Sequence, residues 1–291
     1  MKALKRTIAA IMSLVIVGGA APVIPGGSTA LMPVVASTVI ETENFTYDMS
    51  TGKLTLRGEF TWDDLINFNR GLSYAKVRSI YAEEGTVFPA DCSNLFSNFE
   101  DVTEIDLSNA DTSKVTNMFA MFNNCANIKT LDLSNFDTSN VTDMGRMFTD
   151  CSQLTSLDVS SFDTGKVKNM DLMFYNTSLE TIDLSNFDTS NVTSMMGMFY
   201  HCTSTETIDI SSFDTRNVTD MNSMFVDAYS LKTIYASSLW TTENVQQQYD
   251  MFNQCWNIIG GSGTKYSNGG IGYARIDGGG SDPGYFTFKV H

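Results

Sequence analysis

The sequence predicts an α/β solenoid, in which about seven short coils stack into a rod with a parallel strand ribbon, short helices and terminal caps. Three observations predict this class. The segment 132–142 recurs unchanged at 183–193. Each unit carries a two-residue apolar alternation and then an apolar stripe at three- and four-residue spacing, which predict a strand and a short helix. One apolar position also recurs at intervals of 25 or 26 residues, a period typical of solenoids. That position is occupied by Ile80, Ile105, Leu131, Leu157, Ile182, Ile208 and Ile234.

The strand of each unit is predicted from its alternation. Leu131 and Leu133 fall on one face of an extended segment, while Thr130 and Asp132 fall on the other. We therefore expect the leucines to be buried between coils and the polar residues to face solvent.

The helix of each unit is predicted from its apolar stripe and its start signal. Thr142 followed by Asp143 is typical of a helix N-cap with an acidic first turn. The spacing of the apolar residues is that of one face of a short helix. In the fullest copy they are Val141, Met144, Phe148 and Cys151.

Single units of this size cannot bury their apolar faces, so the copies must stack, and the ends of the stack need caps. We assign residues 79–255 to the solenoid and residues 37–78 to an N-terminal cap. In this cap, alternating segments flank a turn at 48–52, which predicts a hairpin, and 62–72 is predicted to be a short helix.

The C-terminal residues have a different composition from the repeats. Residues 256–291 are rich in glycine and end in an alternating aromatic segment at 285–288. We expect a glycine-rich C-terminal cap that closes the last coil with one strand.

The first residues have the pattern of an export signal. Three basic residues among the first six precede an apolar run at 8–21, and Val-Val-Ala at 34–36 is an acceptable cleavage site. An N-terminal membrane anchor is the alternative, but the run is shorter than the roughly 20 residues a span needs. Residues 1–36 are therefore expected to be a signal peptide. The product is expected to be secreted or attached to the cell surface, with no membrane span after cleavage.

Charge and composition argue against several classes of protein. The net charge is −15, and removal of three cations with the signal peptide would make it −18. Such a surface repels phosphate backbones, so nucleic acid is a poor partner. Only two histidines are present, and the five cysteines contain no CxxC pair. We expect no enzyme activity, no cofactor and no metal site.

The cysteines of the repeat are expected to be buried free thiols. Cys125, Cys151 and Cys202 occupy one repeat position, which Thr177 and Ala228 fill in other copies. A position that accepts cysteine, threonine or alanine requires a small side chain. Neighbouring segments are also expected to be too far apart for a disulfide.

The repeat motif resembles a known family. Units such as LDLSNFDTSNVTDMGRMFTDC at 131–151, together with the tail at 274–287, resemble BspA-type leucine-rich-repeat surface proteins of bacteria. The resemblance implies a leucine-rich-repeat-like right-handed coil and an exported or surface protein. It also implies adhesion to host proteins or to other bacteria, so a host-matrix or bacterial surface protein is the expected partner.

The candidate binding face is a column of aspartates on the strand ribbon. They share the central outward position of five successive predicted strands, where like charges would repel and favour a basic partner. The alternative is that neighbouring serines and threonines hydrogen-bond each carboxylate and the column only keeps the ribbon soluble. The column consists of Asp106, Asp132, Asp158, Asp183 and Asp209.

The sequence is also compatible with a second function. Three aromatic residues near the last coil, Trp240, Tyr249 and Trp256, are candidates for an exposed surface that binds glycans. The alternative function is therefore a glycan-binding or wall-associated structural protein.

Overall fold

A computed structural model describes residues 39–61, 63–65, 76–246 and 250–290. The predicted signal peptide at 1–36 lies outside these residues. Most of the helix predicted at 62–72 also lies outside them, and its described part, 63–65, has helical backbone.

A mixed five-stranded sheet forms the N-terminal end of the molecule. Its strand order follows the chain, with antiparallel pairing from β1 to β3 and parallel pairing from β3 to β5. The antiparallel hairpin therefore lies directly against the first coil of the repeat. The five strands are β1 (Val39–Glu41), β2 (Phe45–Asp48), β3 (Lys53–Leu56), β4 (Ser79–Ala82) and β5 (Glu104–Asp106).

The later coils continue the ribbon in two shorter parallel sheets. β6 pairs with β7, and β8, β9 and β10 form a sheet in the order β10-β9-β8. The equivalent segment at 181–183 forms no strand. The result is a parallel β-solenoid of about seven turns. The five strands are β6 (Thr130–Asp132), β7 (Ser156–Asp158), β8 (Thr207–Asp209), β9 (Thr233–Ala236) and β10 (Phe286–Phe288).

The prediction of short helices in the repeat is wrong, and the α/β class is corrected to a β-solenoid. In the segment where a helix was expected, the Phe122 N–H donates to Met147 of the next coil at 3.0 Å, while the Met121 N–H donates back to Met118 at 3.2 Å. Ala120 and Asn124 have φ values of 54° and 57°, which an α-helix does not contain. Alternate residues thus bond within and between coils, which gives a chain of tight turns.

Phenylalanine rings form the centre of the solenoid. Neighbouring rings of the column have nearly parallel planes through most of its length, with centroids 5.4 to 5.9 Å apart, and methionines of the repeat are buried around them. Ring contacts of this kind add to the stabilisation from buried apolar area. The column consists of Phe96, Phe122, Phe148, Phe174, Phe199, Phe225 and Phe252.

Buried threonines connect the coils through hydrogen bonds. The Thr138 hydroxyl donates to the carbonyl of Asp163 at 2.9 Å and accepts the Asp163 N–H at 2.8 Å. Thr138 is 1% exposed, so this exchange satisfies a hydroxyl that would otherwise be costly to bury. Thr164 and Asp188 repeat the hydroxyl-to-carbonyl bond in the next pair of coils.

All five cysteines are free and buried, including the three of the repeat position for which this was predicted. The Cys151 thiol donates to the carbonyl of Phe122 in the preceding coil at 3.2 Å. Burial raises the pKa of Cys151, Cys202 and Cys255 to about 12. The thiols are therefore protonated near neutral pH and are weak nucleophiles.

The C-terminal segment packs along the last coil. β10 runs parallel to β9, and the indole N–H of the buried Trp240 donates to the carbonyl of Ala274 at 2.8 Å. Gly284 lies so close to this segment that an added Cβ would meet the carbonyl oxygen of Arg275 at 2.3 Å. Glycine is therefore required there by the close backbone approach.

Candidate interaction surface

The outward face of the ribbon carries the predicted aspartate column, in part as expected. Asp132 lies directly opposite Asp158 in the β6–β7 pair. Asp106 lies opposite Tyr81, and Asp209 lies opposite Tyr235. Asp183 precedes β8 outside any strand, and its pKa still responds to the charge of Asp209. The aspartates thus occupy equivalent positions along the ribbon, with a tyrosine opposite the first and the last.

A serine turn orients each carboxylate of this strand face. In every copy the backbone N–H of the serine two residues later donates to the aspartate Oδ1, at distances between 2.9 and 3.1 Å. The Asp-x-Ser sequence explains the geometry, because aspartate readily bonds the backbone two residues on. The alternative account of the column, in which serines bond the carboxylates, thus has a structural basis.

The serine bonds lower the pKa of two carboxylates of the column, those of Asp132 and Asp183. The Ser134 hydroxyl and N–H lower the pKa of Asp132. The Ser185 N–H and hydroxyl lower the pKa of Asp183, although the charge of Asp209 acts in the opposite direction. Like charges about one strand spacing apart repel by about 0.9 kcal/mol at the dielectric of water. The bonds to serine therefore favour the charged form of Asp132 and Asp183 against this mild repulsion.

The end of the column already holds an ammonium group. Lys289 forms an ion pair with Asp209, and its nitrogen lies 5.7 Å from the centroid of the Tyr235 ring. Burial alone would raise the pKa of Asp209, but the bonds from Lys289 and Ser211 lower it. At the opposite end, Lys53 lies 4.9 Å from the centroid of the Tyr81 ring.

The sequence did not identify four residues of this face, which are Lys53, Tyr81, Tyr235 and Lys289. Tyr81 and Tyr235 stand at the aspartate position of the first and last repeat copies, so alignment of the weaker copies would have found them. The position of Lys289 depends on the docking of β10 on β9, which no local pattern indicates.

A second acidic column lies at the turn after the strand. Its carboxylates also accept the N–H two residues on, as Asp137 does from Ser139 at 3.0 Å. The bonds from Ser139 lower the pKa of Asp137, against the charge of Asp111. This second column consists of Asp111, Asp137, Asp163, Asp188 and Asp214.

The aromatic surface predicted near the last coil does not form as expected. Trp240 is 9% exposed and belongs to the core, whereas Trp256 is 61% exposed and stacks on Tyr229 with centroids 5.4 Å apart. Tyr249 lies outside the described residues. Trp256 alone of the three is therefore shown at the surface.

Neither a metal-binding cluster nor a membrane-spanning helix is found in the described parts of the chain. No group of three or more histidine, cysteine, aspartate or glutamate side chains that could hold a metal ion occurs there. Among these residues, no helix has the length and hydropathy needed to cross a membrane.

The repeating coils and the exposed strand face define a β-solenoid repeat protein. Residues 90–207 and 158–260 match the family model described as "Mycoplasma protein of unknown function, DUF285". Since the two matches together span more than half of the chain, the chain belongs to this family. The predicted relationship to BspA-type leucine-rich-repeat proteins is confirmed at the level of the repeat family.

A crystal structure of a leucine-rich repeat protein from Bacteroides ovatus ATCC 8483 is similar, with a TM-score of 0.40 and 15% sequence identity. The match covers 63% of this chain and 51% of that chain, so this chain spans about half the length of that protein. No curated protein matches the sequence.

Proposed function

We propose that this chain is an exported repeat scaffold that binds a protein partner with a basic surface, and that the strand face of Asp106, Asp132, Asp158, Asp183 and Asp209 forms the binding site. The observation that supports this most is the ion pair between Lys289 and Asp209, beside the Tyr235 ring. Here the chain's own ammonium group occupies the position that a partner's lysine would take at the other carboxylates.

The arrangement of the face favours a macromolecular partner. Its carboxylates are spread along several coils, and Asp132 and Asp158 lie on adjacent strands. A row of this kind can pair with several cations of one partner at once. Exposed ion pairs are each worth only about 0.2–1 kcal/mol, so useful affinity requires several of them together.

The sequence supports a place of action outside the cell. The signal-peptide pattern at 1–36 supports export, and the BspA-type repeats support a secreted or cell-surface protein. The proposed partner is therefore a host-matrix protein or a surface protein of another bacterium. Residues 37–78 and 256–291 are proposed to act as the caps of the solenoid.

A glycan-binding or wall-associated structural role is the second candidate. The exposed Trp256, stacked on Tyr229, favours it, because aromatic faces of this kind can stack against sugars. Sugar binding that quenches tryptophan fluorescence and is insensitive to salt would favour this candidate.

The test uses a variant in which Asp132, Asp158, Asp183 and Asp209 are replaced together by asparagine. Asparagine keeps an oxygen that can accept the serine N–H, so the thermal midpoint should be preserved or raised. The mature chain is used to isolate partners from host-matrix and bacterial surface extracts, and the affinity for each partner is measured at two salt concentrations. We expect the variant to lose most of its salt-sensitive affinity. Undiminished affinity would place the binding site elsewhere.

A further inference from the structure

A row of partly exposed aromatic rings lies on the turns between the phenylalanine column and the next strand. Tyr175 and Tyr200 contact each other edge to face, with ring centroids 5.1 Å apart. The ring centroids of Tyr200 and His201 are 6.4 Å apart, and those of His201 and Tyr229 are 6.2 Å apart. The interplanar angles of these three contacts are 68°, 85° and 79°. Nearly perpendicular neighbours form corners with two aromatic walls instead of one flat platform.

Carboxylates lie against this row. Asp227 is within 3.9 Å of the His201 ring nitrogen Nδ1, and its side chain is 14% exposed. Asp150 accepts a hydrogen bond from Asn176 in the next coil at 2.8 Å. Burial raises the pKa of Tyr175, and the charges of Asp150 and Asp227 raise it further. Both carboxylates therefore act on the aromatic row.

One oxygen of Asp227 lacks a hydrogen-bond donor. Oδ1 is buried, and no donor reaches it from the described parts of the chain. A buried carboxylate oxygen without a partner is costly, because the charge has lost its water without gaining a replacement. A cation held against the neighbouring rings would compensate this charge, whereas a neutral ligand would not.

The geometry points to a site for an alkylammonium group, formed by the rings of Tyr175, Tyr200, His201 and Tyr229 with the carboxylate of Asp227. Cations are attracted to aromatic faces, and the attraction increases when several faces and a carboxylate act together. Neutral sugars are disfavoured here, since their hydroxyls could bond to Asp227 but would leave its charge uncompensated, and since sugars stack on flat exposed rings. The shared chemistry is that of a lysine side chain or of a free quaternary ammonium compound. This site is independent of the strand face.

The test measures binding of two cationic probes, choline and butylammonium, and of a neutral isostere of choline, 3,3-dimethylbutan-1-ol. Binding is followed at pH 8 by NMR of the aromatic side chains and by the fluorescence of Trp256, which stacks on Tyr229. We expect at least one cation to bind with a millimolar dissociation constant and the isostere at least about tenfold more weakly. A preference for choline would indicate a quaternary ligand, and a preference for butylammonium would indicate lysine.

The variants separate this site from the strand face. Asp227→Asn and Tyr200→Leu should each weaken cation binding about tenfold, while Tyr81→Leu, which changes an aromatic residue of the strand face, should leave it unchanged. The strand-face asparagine variant should also bind the cations normally, so the two proposals can fail separately. The proposal is overturned if neither cation binds, if the isostere binds equally well, or if Asp227→Asn binds as tightly as the wild type. Should Tyr200→Leu fail to fold, Asp227→Asn alone decides.

Discussion

Asp277 offers a direct test of how the C-terminal segment is held on the last coil. Its side chain is 6% exposed and accepts several hydrogen bonds from the surrounding turns. Oδ2 receives the N–H of Ser262 at 2.9 Å and of Thr264 at 3.0 Å, while Oδ1 receives the Thr264 hydroxyl at 2.7 Å and the Gly279 N–H at 3.0 Å. Burial alone would raise the pKa of Asp277, but these bonds hold it well below its ordinary value.

The change Asp277→Asn replaces one oxygen of this carboxylate by an amide nitrogen. With that nitrogen at the Oδ2 position, the N–H groups of Ser262 and Thr264 face a donor and lose their acceptor. A buried donor left without a partner costs about 1–3 kcal/mol. Because Ser262 is exposed and Thr264 only partly buried, water replaces part of the lost bonding, and the variant should lose about 1–3 kcal/mol of stability. The loss should be local to the C-terminal segment.

The assay combines denaturant unfolding, followed by tryptophan fluorescence, with hydrogen exchange of β10. Trp240 reports on this region because its indole bonds to Ala274. Asp282→Asn is the matched control, since Asp282 is exposed and its ion pair with Arg275 lies at the surface. Equal stability of Asp277→Asn and wild type, or an equal loss in the control, would refute the reasoning.

The pH dependence provides a second readout of the same carboxylate. A pKa lowered by folding contributes stability that is complete above the unfolded-state value of about 4. This contribution is lost as the pH falls through the lower folded-state value. The stability difference between wild type and Asp277→Asn should therefore be constant near neutral pH and shrink below about pH 4.

Two further predictions concern the coils themselves. Leu133→Ala should lower the free energy of unfolding by about 2–5 kcal/mol, because Leu133 is fully buried. Thr130 faces outward, so Thr130→Ala should lower it by less than about 0.5 kcal/mol. Similar losses for the two variants in denaturant titrations would show that the strand register is wrong. In denatured protein without reductant, all five thiols should react with a colorimetric reagent, whereas few should react in native protein because they are buried. A count of one or three reactive thiols in the denatured protein would show that disulfides had formed.

The strand register could be predicted from the sequence because a two-residue alternation has one structural meaning. Leu131 is 3% exposed and Asp132 is exposed, as the alternation required. The register of Asp132 opposite Asp158 followed from the repeat length alone. At 181–183 the prediction of a strand was wrong, although the sequence there is nearly the same as that of β6.

The helices could not be predicted correctly because the apolar spacing was ambiguous. A chain of tight turns also places residues such as Met144 and Phe148 in the core. The distinguishing feature is a positive φ at non-glycine residues, 58° at Arg146 and 54° at Leu172. These residue types do not favour that conformation, so the neighbouring coils must impose it. The docking of Lys289 on Asp209, 80 residues apart in the chain, depends on tertiary structure in the same way.

The comparison of two charge-matched variants tests the role of the strand face most directly. The first replaces Asp132, Asp158, Asp183 and Asp209 by asparagine, and the second replaces four residues of the second acidic column. Those four are Asp111, Asp137, Asp163 and Asp188.

The measurement is the dissociation constant of a decalysine peptide for each variant and for the mature wild type at low and at physiological salt. Each variant removes four negative charges, so long-range attraction falls equally in both. If the strand face is the binding site, the first variant should lose at least about tenfold in affinity and the second less than about threefold. Equal losses in the two variants would show that only net charge attracts the peptide and would contradict a binding site on the strand face.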